Sequence, residues 1–182
     1  MIGIRSALGL LFLIMASLGY GQSDDPLRVP PVRYTLTQQE QTVLQNWLSQ
    51  HPEYRVAEDG DCECADDIKQ MRAGDGGVWK AVPDYHPYAA TGDFNSDGQQ
   101  DFAVAVIKRS KAKNNFALLV FNGPFPLGSA SPAFIREGLD LTYRGLFYGP
   151  PRPRPYRLVV GRFESDTGSV LVPHGRTYKL ID

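Results

Sequence analysis

Apolar and polar positions divide the chain into three stretches of different period. Residues 7–18 form an almost unbroken apolar run. From Thr37 to about Met71, apolar positions recur at helical spacing. From Tyr88 onward they fall into short alternating or continuous runs separated by turn residues, which is the pattern of strands.

The first helix is the clearest element. Thr37 and Glu40 make a Thr-x-x-Glu capping box, in which two otherwise orphaned backbone N–H groups are satisfied reciprocally. Val43, Leu44, Trp47 and Leu48 follow on one face, and Pro52 stops the helix just after His51. Asp61 is the expected cap of a second, shorter helix. Cys64, Ala65, Ile68 and Met71 would face inward, and Gly74, Gly76 and Gly77 would end it. Trp79 to Tyr88 is aromatic and, with Pro83 and Pro87, irregular.

In the third stretch Phe102, Val104 and Val106 alternate with Ala103, Ala105 and Ile107, so both faces of that strand are expected to be covered. Phe116 to Phe121 repeats the pattern after a polar turn holding Lys111, Lys113, Asn114 and Asn115, which predicts an antiparallel hairpin. Further strands are expected over Leu141–Tyr148, Tyr156–Phe163, Ser169–Val172 and Arg176–Ile181. The expected fold class is α+β: a mostly antiparallel sheet of hairpins in a meander, with two N-terminal helices packed on it, in one domain over residues 36–182.

The ends change the picture in one respect. Arg5, the apolar run after it, and small residues at Gly19 and Gly21 have the layout of an export signal over residues 1–21, cut before Gln22. The run is about a dozen residues, short of the ~20 that span a bilayer, so no stable membrane span is expected after cleavage. The alternative is an uncleaved anchor. Residues 22–35 are polar and proline-containing, a flexible lead-in. The exported chain would act in the periplasm or outside the cell. Its removal takes only Arg5 from the charged residues and moves the formal net charge from −1 to −2. That near-balance argues against nucleic acid as a partner. Two cysteines are too few for a disulfide scaffold, so a core must hold the fold.

The chemistry-bearing stretch is Asp93-Phe94-Asn95-Ser96-Asp97-Gly98-Gln99-Gln100-Asp101. Asp93, Asn95 and Asp97 alternate so that side-chain oxygens can share one centre, and Gly98 permits the sharp turn. Gln99 can offer its backbone carbonyl, and Asp101 adds a third carboxylate. Calcium takes six to eight such oxygens at ~2.3–2.6 Å from a flexible loop. An EF-hand would need an acid where Val104 stands. With Gly92 before it and Phe102-Ala103-Val104 after it, the stretch instead resembles the calcium hairpin of integrin-type FG-GAP and VCBS repeats. The resemblance covers Tyr88 to Phe121 and implies calcium as the cofactor, with Asp93, Asn95, Asp97, Gln99 (through its backbone) and Asp101 as ligands. Only one complete copy is present; Gly161 to Gly168 echoes it, but Arg162 stands where the first carboxylate belongs.

Other candidates are weaker. Cys62 and Cys64 are a disulfide candidate, with inert thiols or a metal or redox role as alternatives; a bridge requires the second helix to start at or after Cys64. Trp79, Tyr85, His86 and Tyr88 would either line a sugar or peptide surface or cover the sheet's end. Pro150 to Pro155, with Arg152 and Arg154, is an extended connector or a docking stretch. Lys108, Arg109, Lys111 and Lys113 mark a basic hairpin tip. No nucleophile–histidine pattern accompanies His51, His86 or His174. Two functions follow: a non-enzymatic exported calcium-binding domain that binds a protein or a polysaccharide of the envelope or exterior, or a small metal-assisted hydrolase or lyase using the acidic loop and His86.

Overall fold

The computed structural model describes residues 32–75, 81–109, 115–125, 131–148, 157–163, 165 and 167–182. The expected signal segment, Trp79, Lys111 and Lys113, and the run Pro150 to Pro155 lie outside the described residues.

Helix α1 spans Gln38–Gln50, and its capping box is complete: Glu40 N–H donates to the Thr37 hydroxyl and Thr37 N–H to the Glu40 carboxylate. Helix α2 spans Ala65–Ala73 and ends on Gly74 in the left-handed conformation, φ +75°. Its N-cap is Cys64, not Asp61. Asp61 closes a 3-10 turn, Asp59–Asp61, where its carboxylate accepts from Glu58 N–H and from Arg55. Ala65, expected inside, is exposed.

Among the described residues, nine strands form two antiparallel sheets. The first holds β1 (Tyr54–Val56), β2 (Ala89–Gly92), β3 (Asp101–Lys108), β4 (Phe116–Phe121) and β5 (Phe134–Leu139), in the order β1-β3-β4-β5 with β2 also on β3. The second holds β6 (Arg144–Tyr148), β7 (Leu158–Arg162), β8 (Gly168–His174) and β9 (Thr177–Ile181), in sequence order. β3 and β4 pair antiparallel from Phe102↔Phe121 to Ile107↔Phe116.

This arrangement overturns the α+β expectation of one sheet under a pair of helices. The protein is β-rich, and its described residues form two sheets and two short helices that make no layer together. The reason lies in the two faces of β3 and β4. On one face Phe102, Val104, Val106, Leu119 and Phe121 pack against Val43, Leu44 and Trp47 of α1. On the other, Ala103, Ala105, Ile107, Leu118 and Val120 join Leu146, Leu158, Val160 and Leu171 of the second sheet, and Ile68 and Met71 of α2 enter this same inter-sheet core. Side chains alternate across a strand, so a strand apolar at every position needs a cover on each side. Each fully buried leucine or phenylalanine contributes about 2 kcal/mol.

Two glycines and two tyrosines set how closely the sheets approach. A Cβ on Gly92 would overlap the Tyr148 ring, and one on Gly145 would overlap the Tyr85 hydroxyl. Tyr85 is fully buried among Tyr34, Phe147 and Phe163, and its hydroxyl has no hydrogen-bond partner among the described residues. A buried hydroxyl without a partner contributes nothing to offset its lost hydration. Denaturant unfolding should therefore find Tyr85→Phe as stable as the parent or up to ~1 kcal/mol more so. Gly145→Ala should cost ~1–3 kcal/mol in the parent and less in the Tyr85→Phe background. Equal costs in both would show that the overlap is relieved elsewhere.

Candidate metal centre

The acidic stretch is the connection of the β2–β3 hairpin, whose ladder runs from Ala89↔Val104 to Gly92↔Asp101. The chain can reverse here because Ser96 and Gly98 both adopt positive φ, 66° and 84°. For a serine that conformation is uncommon, and the loop's own side chains hold it. Asp93 accepts from Asp97 N–H at 3.0 Å and from Gly98 N–H at 2.9 Å. Asn95 Oδ1 accepts from Asp97 N–H at 2.9 Å, and Asp97 Oδ1 from Gln99 N–H at 2.8 Å. Asn95 Nδ2 donates to Asp97 Oδ2 at 2.9 Å. Asp93, Asn95 and Asp97 are thus brought together on the outer side of the hairpin, with Gln99 exposed beside them.

Asp101 is placed differently. It is fully buried, and its two oxygens accept from Phe94 N–H at 2.8 Å and Gly123 N–H at 3.0 Å. The Tyr178 hydroxyl lies 3.5 Å away and donates to Asn122 Oδ1 at 2.6 Å. Burial pushes the Asp101 carboxyl up to about 6, against the lowering by the Gly123 and Phe94 N–H groups; the nearby Asp97 and Asp93 charges push the same way as burial. Tyr148, from β6, donates to the Asp93 carbonyl at 2.6 Å and packs edge-on against the buried Phe94 at 4.9 Å. Burial, then Asp93 and Asp101, raise the Tyr148 phenol to about 12. The hairpin therefore rests on tyrosines of both edge strands of the second sheet. Sequence reading missed Tyr148, Tyr178, Asn122 and Gly123 as its supports. They come from segments distant in the chain; the one local signal was the aromatic Tyr178 in the short strand Thr177–Ile181.

Among the described residues, no three His, Cys, Asp or Glu side chains converge into a metal-holding group, and none of Asp93, Asp97 or Asp101 has an ion-pair partner. The first fact follows from Asp101 being turned to the backbone of Phe94 and Gly123. What remains at the outer side is two carboxylates and the Asn95 amide oxygen. Each carboxylate has about four lone-pair sites, and the bonds from the loop's N–H groups use only part of them. The donor set is all oxygen, which fits a hard cation and suits no soft one.

The remaining candidates do not join this site. His86 Nδ1 lies 2.9 Å from Asp59, which also binds Arg72, and no described contact links His86 to the hairpin. Tyr85 and Tyr88 are core residues, and Tyr88 donates to the Leu141 carbonyl at 3.0 Å. Lys108 stands over the Tyr54 ring at 5.8 Å. Cys62 and Cys64 are disulfide-bonded with Cα atoms 5.0 Å apart, both buried against the inter-sheet core. Gly161 and Gly168 pair at the β7–β8 turn. No family model, curated protein or solved structure matches the chain.

Two outcomes follow from these contacts. In chelator, Asp101→Ala should cost ~2–4 kcal/mol because it leaves two backbone N–H groups without acceptors inside the protein. Asp97→Ala should cost clearly less, since its bonds are at the surface; urea unfolding checks the order. The second concerns acid. Arg55 holds the Asp61 carboxyl below its usual range, outweighing burial. A depressed carboxylate stabilises the fold above its unfolded value of about 4, and that part is lost as pH falls through the folded value. Melting temperature should thus drop more steeply below about pH 4 in the parent than in Asp61→Asn.

Proposed function

We propose that this is an exported, calcium-stabilised, non-enzymatic module that binds a partner, a protein or a polysaccharide, outside the cytoplasm. The observation that supports it is the hairpin itself. A loop already turned by its own Asx bonds gathers Asp93, Asn95 and Asp97, lacks a neutralising cation among the described residues, and stands on the buried Asp101. This is the arrangement expected of an FG-GAP or VCBS type hairpin used once, as a clamp. Two carboxylates a few ångströms apart repel, and a divalent ion replaces repulsion with attraction. The hydrolase reading needs His86 to converge on the ion, and His86 is engaged with Asp59 instead.

Calcium should raise the melting temperature, and Asp93→Ala or Asp97→Ala should abolish the rise. Loops of extracellular modules bind at about 10⁻⁴–10⁻³ M, and at ~100-fold excess over the dissociation constant the linkage is about 2.7 kcal/mol. Magnesium should do less, since it holds its waters in a tighter octahedral shell. Identical melting in millimolar calcium and in chelator would end the proposal.

A further inference from the structure

Two sheets packed face to face have two seams. One is closed: β2 lies against β6, and Leu146 N–H donates to the Pro87 carbonyl at 2.7 Å. The other is open. β5 and β9 are the outermost strands of their sheets, and among the described residues neither is paired on its outer side. They touch at one end, where the Thr177 hydroxyl donates to the Ala133 carbonyl at 2.7 Å and the Tyr178 ring stands edge-on to Phe134 at 6.4 Å. Beyond that contact no ladder joins them, and a cleft of about 790 Å³ lies between them.

The cleft has an apolar floor and a cationic rim. Leu141 and Val160 are buried at its base, with Leu180 partly so, and Ile135 and Ile181 stand on its walls at 48% and 50% exposure. Among the described large apolar side chains only Tyr143 is comparably exposed. Arg136, Arg144 and Lys179 line the cleft with no ion pair among the described residues. Its two carboxylates are engaged: Asp182 accepts from the Ser169 hydroxyl and Asp140 from Thr142 N–H.

An open strand edge offers a row of N–H and C=O groups that an extended backbone satisfies. Of the two edges, β9 is the better template, for it pairs regularly with β8 along its whole length, whereas β5 is broken by a register shift and by Gly138 at φ +74°. We propose that the open seam takes up an extended, acidic segment of a partner protein, which adds a strand along β9, sets alternate apolar side chains on the floor and turns carboxylates to Arg136, Arg144 and Lys179. This names the partner for the binding role proposed above and rests on that role, not on the ion.

The test is an amide chemical-shift titration of the isotope-labelled protein, in calcium and again in chelator. The probe is a short synthetic peptide of alternating glutamate and valine, compared with its lysine–valine counterpart and with polygalacturonate. The acidic peptide should shift the amides of β9, of the cleft side of β5 and of Arg144 saturably, and leave those of β2 and of Leu146 to Tyr148 in β6 unmoved. Arg136→Glu with Lys179→Glu, both exposed positions, should keep the melting temperature and weaken the acidic peptide about tenfold. Absence of shifts at millimolar peptide, equal binding of the lysine peptide, binding of polygalacturonate alone, or a concentration-dependent dimer covering the same amides would each overturn it. A calcium-dependent melting shift without peptide binding sinks the seam and spares the ion; peptide binding without a calcium shift does the reverse.

Discussion

Every position from Asp101 to Ile107 is buried, and that double-sided burial of β3 is the constraint on which the rest of the architecture depends. A central strand covered on both faces cannot belong to a simple sheet with a wet side. One cover is α1, set by its capping box and by Val43, Leu44 and Trp47. The other is a second sheet, since one short helix such as α2 cannot span the opposite face of β3 and β4. α2 and the Cys62–Cys64 bridge instead fill the inter-sheet core beside that sheet. Both β1 and β2 pair with β3, so the same strand anchors the chain before and after α2.

The acidic hairpin is tied to this constraint through one residue. Asp101 is the first residue of β3 and already inside the protein, so it cannot lean outward with Asp93 and Asp97 without abandoning Phe94 and Gly123. It keeps the hairpin in shape from beneath, whether or not a cation sits above. Its position at the sheet's end also explains why its carboxyl is pushed up while buried among partners: the N–H groups favour the charged form, and burial with two neighbouring carboxylates opposes it.

Local chemistry was legible in the chain, and tertiary context was not. The Thr37–Glu40 box, the apolar face of α1 and the paired runs of β3 and β4 announce themselves because each depends on residues within a few positions of one another. The loop's turn chemistry was readable for the same reason. Asp61 was misread as a helix cap because a nearby arginine, Arg55, competes for its carboxylate. The strands β1, β2 and β5 left little trace, being short, or glycine-containing, or polar along an exposed edge, as in Ile135-Arg136-Glu137-Gly138. The division into two sheets was invisible, since a run of hairpins reads alike whether it continues one sheet or starts another.

The two seams are unequal for reasons that reach back to the hairpin. At the closed seam, Gly92 lets the Tyr148 ring lie against the β2 backbone, and Tyr148 in turn holds the Asp93 carbonyl. At the open seam, Tyr178 is the buried residue of β9; its ring meets Phe134 while its hydroxyl reaches Asn122 and the Asp101 side. The hairpin is thus connected to both edges of the second sheet by one tyrosine each. Tyr148 sits where backbones approach closely and leaves no room for another chain. Tyr178 sits where β9 touches β5 only at its start, so the same kind of anchor fixes one wall of a cleft and, among the described residues, leaves the rest of the edge unpaired. An edge held in place at one end by a buried phenol is a preorganised template, and a template of that kind loses less conformational entropy when a strand is added to it.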